Sequence, residues 1–167
     1  MVKSQPYINK IKKNSSVFLA IGNNKIRKKY FEKYKKKFNF INLVSKTCIV
    51  STYAKLGIAN YIGPNVIVNA GTVIKNNCIL NTSSIIEHDV VIEDNAHICP
   101  SVTIGGCSKI GKDSFIGLGS NIIDKVVIGN KVVLGAGSLV ISKLKSNSVY
   151  FGSPAKLVKR KLDKYLK

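Results

Sequence analysis

The chain has 167 residues, 45% of them hydrophobic, and its 27 Lys and Arg against 8 Asp and Glu give a net charge of +19. That length suits one main domain with small appendages and a buried core. The charge is laid out unlike that of a nucleic-acid binder. Residues 47–141 hold six Lys and six acidic residues, residues 1–46 hold 13 Lys or Arg against Glu32 alone, and the tail from 142 holds eight against Asp163, with no aromatic-basic interleaving of the single-strand-binding kind.

In chain order, residues 1–16 are polar and basic without periodicity. Val17-Phe18-Leu19-Ala20-Ile21 reads as a buried strand, Gly22-Asn23-Asn24 as a turn, and Lys25 to Lys37 as a helix with Ile26, Tyr30, Phe31 and Tyr34 on one face. Phe40 to Val44 reads as a second strand, so residues 1–46 form a small β-α-β fragment. The five-residue run at 17–21 is the longest early apolar stretch, so neither a signal peptide nor a membrane span is expected. A glycine turn opening a helix, here Gly22 and Asn23, is either a phosphate seat or a plain strand-turn-helix corner.

From Ile62 to Val140 every sixth residue is Ile, Val or Leu, and the residue four places after each of these, from Val66 to Ser138, is small or β-branched. Turn formers such as Gly63-Pro64-Asn65 and Glu93-Asp94-Asn95 lie between the two columns. A period of six with one large and one small inward residue predicts short strands joined by corners, three to a coil of 18 residues. That is a parallel β-helix, assigned to residues 47–148, in a mainly β chain. A sandwich would need hairpin turns in place of this strict period. Cys48, Cys78, Cys99 and Cys107 form no C-x-x-C pair and read as reduced, mostly packing residues of a cytoplasmic protein.

Beyond Val140 the repeat decays. Residues 149–167 are expected to cap the coil stack, with Ser153 capping and Pro154 beginning a last helix that carries Leu157, Val158, Leu162 and Tyr165.

The chain has only two histidines. His88 falls at a corner, in Glu87-His88-Asp89, and His97 follows the inward Ala96 and should point outward from a flat face. Adding one coil to 88 gives 106, so Gly106 should stack on His88 and offer an unobstructed amide beside an imidazole. A base next to an amide donor is what acyl transfer to an amine or hydroxyl requires. Asp89 either orients the imidazole or is a corner carboxylate in water. No metal-ligating set is identified.

These repeats resemble those of the hexapeptide-repeat acyltransferases, whose parallel β-helix is left-handed. Leu80-Asn81-Thr82-Ser83-Ser84-Ile85-Ile86-Glu87-His88-Asp89, with His97 nine residues after His88, resembles the segment that carries catalysis in the family acetylating UDP-4-amino sugars and sialic acids. Ala20-Ile21-Gly22-Asn23-Asn24 resembles part of its nucleotide-sugar-binding domain, and Gly152-Ser153-Pro154-Ala155-Lys156 resembles its ending. The resemblance implies acetyl-CoA as donor and a UDP-4-amino-4,6-dideoxy sugar as acceptor. It implies His88 as base, Asp89 as its modulator, His97, Gly22 and Asn23 toward the sugar nucleotide, the Gly106 amide on the thioester oxygen, and a homotrimer. Pro100, Leu118 and Ala136, each 18 apart, would line the edge where the coenzyme lies, with Leu118 and Ala136 touching it. That family normally opens with a further strand and a Gly-rich, His-containing loop, absent before Ser16, so weak nucleotide binding is expected. Three alternatives stand beside this reading: a sialic acid O-acetyltransferase, a non-catalytic trimeric scaffold, and a zinc enzyme of the γ carbonic anhydrase kind, which needs three His ligands where this chain has two.

Overall fold

A computed structural model describes residues 11–158 of the chain. From Leu43 onward two-residue strands recur every six residues and pair in parallel with the strand 18 residues away, as Ile85 does with both Ile67 and Thr103. The strands sort into three sheets. One contains Ile49–Val50, Ile67–Val68, Ile85–Ile86, Thr103–Ile104, Asn121–Ile122 and Leu139–Val140; the next runs from Lys55–Leu56 to Val127–Ile128, and the third from Leu43–Val44 to Val133–Leu134 and beyond. We call them the first, second and third faces of a triangular prism. It is a left-handed parallel β-helix.

Side-chain direction explains why the six-residue period builds this object. In each strand the second residue points inward, and all fourteen aliphatic positions from Ile62 to Val140 are buried. The small column from Val66 to Ser138 is buried as well. Its hydroxyls serve two coils at once: the Ser114 Oγ donates to the Gly129 carbonyl and accepts from the Val132 amide. Between the columns every sixth residue from Ala59 to Gly137 takes a positive φ, between 53° and 73°, which turns the corner. Asn, Asp and Gly fill most of these positions because they tolerate that region best.

The N-terminal part differs from expectation in detail. Only Ser16–Val17 is strand, paired in parallel with Asn39–Phe40; residues 18–23 form an irregular segment. Helix α1 runs Asn24–Tyr34, with the Asn23 side chain accepting from the Ile26 amide at 2.9 Å as N-cap. Its buried stripe is Asn24, Arg27, Phe31 and Tyr34, whereas Ile26 is exposed. At the other end, Leu144 bridges Ile128 and Tyr150 pairs with Leu134, so the last coil is shortened to 16 residues. The expected helix from Pro154 is not there. Leu157 and Val158 belong to a strand, Lys156–Val158, that returns antiparallel on Val149–Phe151, because an open sheet edge offers unmade backbone hydrogen bonds. Leu162 and Tyr165 lie outside the described residues. No helix among the described residues is long and apolar enough to cross a membrane.

Candidate functional site

His88 sits at the corner joining the first and second faces, between Ile85–Ile86 and Val91–Ile92. Its Nδ1 lies 3.0 Å from the Asp89 Oδ2, and both side chains are more than half exposed. Two glycines make room for the pair. A Cβ on Gly106, one coil along, would stand 2.6 Å from the His88 Nε2 and 2.7 Å from Cε1, so the ring rests on bare backbone. A Cβ on Gly71, one coil back, would collide with the Asp89 carboxylate. Gly71 was not picked out from the sequence, although subtracting 18 from 89 reaches it.

The Asp89 hydrogen bond is the main cause that raises the His88 pKa above its ordinary value; desolvation opposes it, and the charges of Asp89, Glu87 and Asp124 add to the rise. When Nδ1–H donates to the Asp89 carboxylate, Nε2 carries the lone pair. The amide of Gly106 is not unobstructed as expected. It donates to the Asp124 Oδ1 at 3.2 Å, from the corner position one coil further along. Stacking supplies a carboxylate exactly as it supplies the glycine, so an acceptor atom must displace Asp124 to use this amide.

His97 lies on the third face, across the prism from His88. The two histidines are therefore not neighbours within one chain. His97 does leave the coil core, but the irregular segment 18–22 covers it, and its ring meets Phe115 edge-on with centroids 5.1 Å apart. It lines a cleft of about 250 Å³ together with Phe18, Ile21, Gly22, Tyr61 and Asn81. Both ring nitrogens are buried without a hydrogen-bond partner. Burial first, and the Arg27 charge second, push its pKa down to about 4; the Gly22 backbone pulls weakly the other way without reaching hydrogen-bond geometry. The imidazole is thus neutral at physiological pH.

Arg27 is a second residue that sequence reasoning missed, after Gly71. A basic helix suggests solvated cations, yet this side chain is only 1% exposed. Its guanidinium donates to the carbonyls of Ile21, Gly22, Asn77 and Asn95 and to the Asn24 Oδ1, at 2.9 to 3.3 Å. Five donors in a planar fork allow one residue to tie the 21–22 turn, α1 and two coils together. The spacing 24, 27, 31, 34 was the available signal. Gly22 thereby spends its carbonyl on Arg27 and Asn23 spends its side chain on the helix cap, while a Cβ on Gly22 would meet nothing within 4 Å.

Leu118 and Ala136 are both exposed on the corner between the third and first faces, one coil apart. The first face separates this edge from His88, and the Leu118 carbonyl already accepts from the Gly137 amide at 2.8 Å. All four cysteines are free thiols. Cys78 is a packing residue whose pKa burial pushes up to about 12, and Cys99 is likewise raised to about 11. Cys107 departs from the packing expectation: it is exposed, directly beside Gly106.

Residues 71–106, which hold this corner, match the family model described as bacterial transferase hexapeptide (six repeats). The chain is similar to PerB from Caulobacter crescentus, solved with CoA and GDP-perosamine, with a TM-score of 0.85 and 30% identity over 86% of this chain and 70% of that one. The chain belongs to the bacterial hexapeptide transferases. This hexapeptide transferase is also similar to the acetyltransferase domain of PglB from Neisseria gonorrhoeae, solved with acetyl coenzyme A, with a TM-score of 0.83 and 29% identity over 86% and 70% of the two chains. Gamma carbonic anhydrase 2, mitochondrial, of Arabidopsis thaliana is 32% identical over 105 residues, 59% of this chain and 37% of that protein. The chain therefore spans little more than a third of that curated relative's length.

Proposed function

We propose that this chain transfers the acetyl group of acetyl-CoA to the amino group of a sugar carried on a nucleoside diphosphate. The observation that carries the reading is the His88–Asp89 pair seated between Gly71 and Gly106, on a chain similar along most of its length to PerB, which was solved with CoA and GDP-perosamine. The acceptor amine attacks the thioester carbonyl while the His88 Nε2 takes its proton; CoA leaves as a thiolate and the imidazolium returns a proton to it. Asp89 fixes the tautomer and raises the basicity of the ring. Gly106 contributes the space under the ring, and its amide serves the thioester oxygen once Asp124 releases it.

A UDP-4-amino-4,6-dideoxy sugar is the acceptor class we favour, with the GDP-linked form as its near variant. The unpartnered nitrogens of His97, beside Gly22 and Asn81, would receive acceptor hydroxyls, with Asn23 next in the chain to Gly22. His97 and the Leu118–Ala136 edge both lie away from His88 within a chain, so a homotrimer would bring them to it between neighbours. Exposed Ile123 and Ile141 lie on the same edge as His88, two and three coils along, and suit such a contact. Four free thiols and acetyl-CoA as donor fit a cytoplasmic setting.

The test is release of CoA thiol from acetyl-CoA in the presence of UDP- and GDP-linked amino sugars, free sialic acid, or buffer. Release that depends on an amino-sugar nucleotide supports the reading, and release with sialic acid alone converts it to O-acetylation. A folded protein that releases no thiol with any of them is a scaffold.

A further inference from the structure

Cys107 is adjacent to the candidate base but has no part in the proposed chemistry. Stacking places it there: its amide donates to the His88 carbonyl at 2.9 Å, so the residue lies against the same corner one coil along. One ligand atom each from His88, Asp89 and Cys107 lie within 4.8 Å of one another, and all three side chains are exposed. We propose that these three residues form a divalent-cation site suited to zinc, and that its occupancy switches acyl transfer off.

The chemistry of the donor set points to zinc. An imidazole, a carboxylate and a thiol form a mixed N, O, S set that suits a borderline-soft cation and discriminates against magnesium and calcium, which take oxygen ligands. Tetrahedral zinc with bonds of about 2.0–2.3 Å holds its ligands roughly 3.5 Å apart, so rotation of exposed side chains by about 1 Å closes the site. Binding releases the Cys107 proton to solvent and leaves the fourth position to water. The local field favours a cation as well. Glu87 and Asp124 flank His88 along with Asp89, a cluster of negative charge on a chain of net charge +19. The sequence suggested no metal ligands because Cys107 and His88 are 19 residues apart, and only the coil closes that gap.

Inhibition follows from the His88 lone pair. Zinc on Nε2 takes the lone pair that would accept the proton, and zinc on Nδ1, the nitrogen 3.0 Å from Asp89, leaves the ring proton on Nε2, so either mode removes the base. This second half of the proposal rests on His88 acting as base, whereas the binding half does not.

The experiment uses the full-length chain, freed of metal by a chelator, and titrates zinc against a chromophoric zinc chelator in wild type, Cys107→Ser and Asp89→Asn. Wild type should bind one zinc per chain, and Cys107→Ser should bind at least about tenfold more weakly, since it loses a direct ligand. Cobalt in place of zinc should show a thiolate-to-metal charge-transfer band that Cys107→Ser lacks. Cys48, Cys78 and Cys99 remain in that variant, so the loss reports Cys107. In the acetyl-transfer assay, Cys107→Ser should keep its rate without metal while the zinc concentration for half-inhibition rises at least about tenfold. Equal zinc affinity in wild type and Cys107→Ser, or no cobalt-thiolate band in wild type, overturns the site. Tight, Cys107-dependent binding that leaves acetyl transfer undiminished overturns the switch. If no acceptor supports any transfer, the proposed function fails, and the binding titration still decides the metal site.

Discussion

The two imidazoles stand on the same coiled scaffold, nine residues apart, and the protein treats them in opposite ways. His88 is exposed, hydrogen-bonded to Asp89 and surrounded by carboxylates, and its pKa is raised. His97 is covered, has no hydrogen-bond partner and feels the buried cation Arg27, which together with burial holds its pKa near 4. Both occupy outward positions of the repeat, His88 in a corner turn and His97 in a strand, so the repeat alone does not set the difference. It comes from what is laid on the outside: bare glycine backbone and open water at the corner, the Arg27-anchored turn on the third face. On the proposed mechanism, the imidazole that would exchange protons is wet and the one that stays neutral is dry.

Removing the wet imidazole should have the largest effect. His88→Asn should lower kcat about 10²- to 10⁴-fold with the acetyl-CoA KM nearly unchanged, because general-base catalysis is lost while the binding surfaces remain. Steady-state kinetics with saturating acceptor measure it, and a kcat within threefold of wild type would reduce His88 to a surface residue. Next comes the anchor of the dry one. Arg27→Met strips donors from the Ile21, Gly22, Asn77 and Asn95 carbonyls, and we expect a loss of about 2–4 kcal/mol in denaturant unfolding, with a weaker acceptor KM. Unchanged stability would mean that the turn holds itself over His97.

Gly106→Ala probes the slot directly. The added methyl would overlap the His88 ring, which can swing away because it is exposed, so the fold should survive while kcat falls roughly 10- to 100-fold through misplacement of the base. Gly22→Ala is its counterpart on the other side, where nothing lies within 4 Å, and should leave kcat unaltered. Equal behaviour of the two variants would remove the role given to the glycine slot.

The array was legible because a period of six fixes the direction of every side chain, so Ile86 and Ser84 could be placed inside and His88 at a corner before any coordinates. The same arithmetic brought Gly106 to His88. It also contained Asp124 and Cys107, at one further coil and one further residue, but a rule that asks what stacks does not say which polar groups will then bond. The ends were harder to read. Arg27 looked like a solvated cation because residue type outweighed its spacing with Phe31 and Tyr34, and Ser153-Pro154 looked like a helix start because the sequence does not show that the edge at Tyr150 is open for Leu157 to pair with.

The smallest effect we predict concerns His97 and acid. In the unfolded chain a histidine takes up its proton near pH 6.5, whereas in the fold His97 waits until about pH 4. Between those values the unfolded state binds more protons, so His97 makes the fold progressively less stable as pH falls from about 6.5, and the penalty levels off below about 4. After discounting for its partial exposure, we expect the full effect to be about 2 kcal/mol. His97→Phe removes the titration and keeps an aromatic ring against Phe115, so its melting temperature should fall less than that of wild type between pH 7 and pH 4, by about 5 °C. His88→Asn should not flatten the curve in this way, because its imidazole is protonated more readily in the fold than in the open chain. Parallel melting curves for wild type and His97→Phe would show that the covered histidine is hydrated after all, and the contrast between a wet and a dry imidazole would collapse.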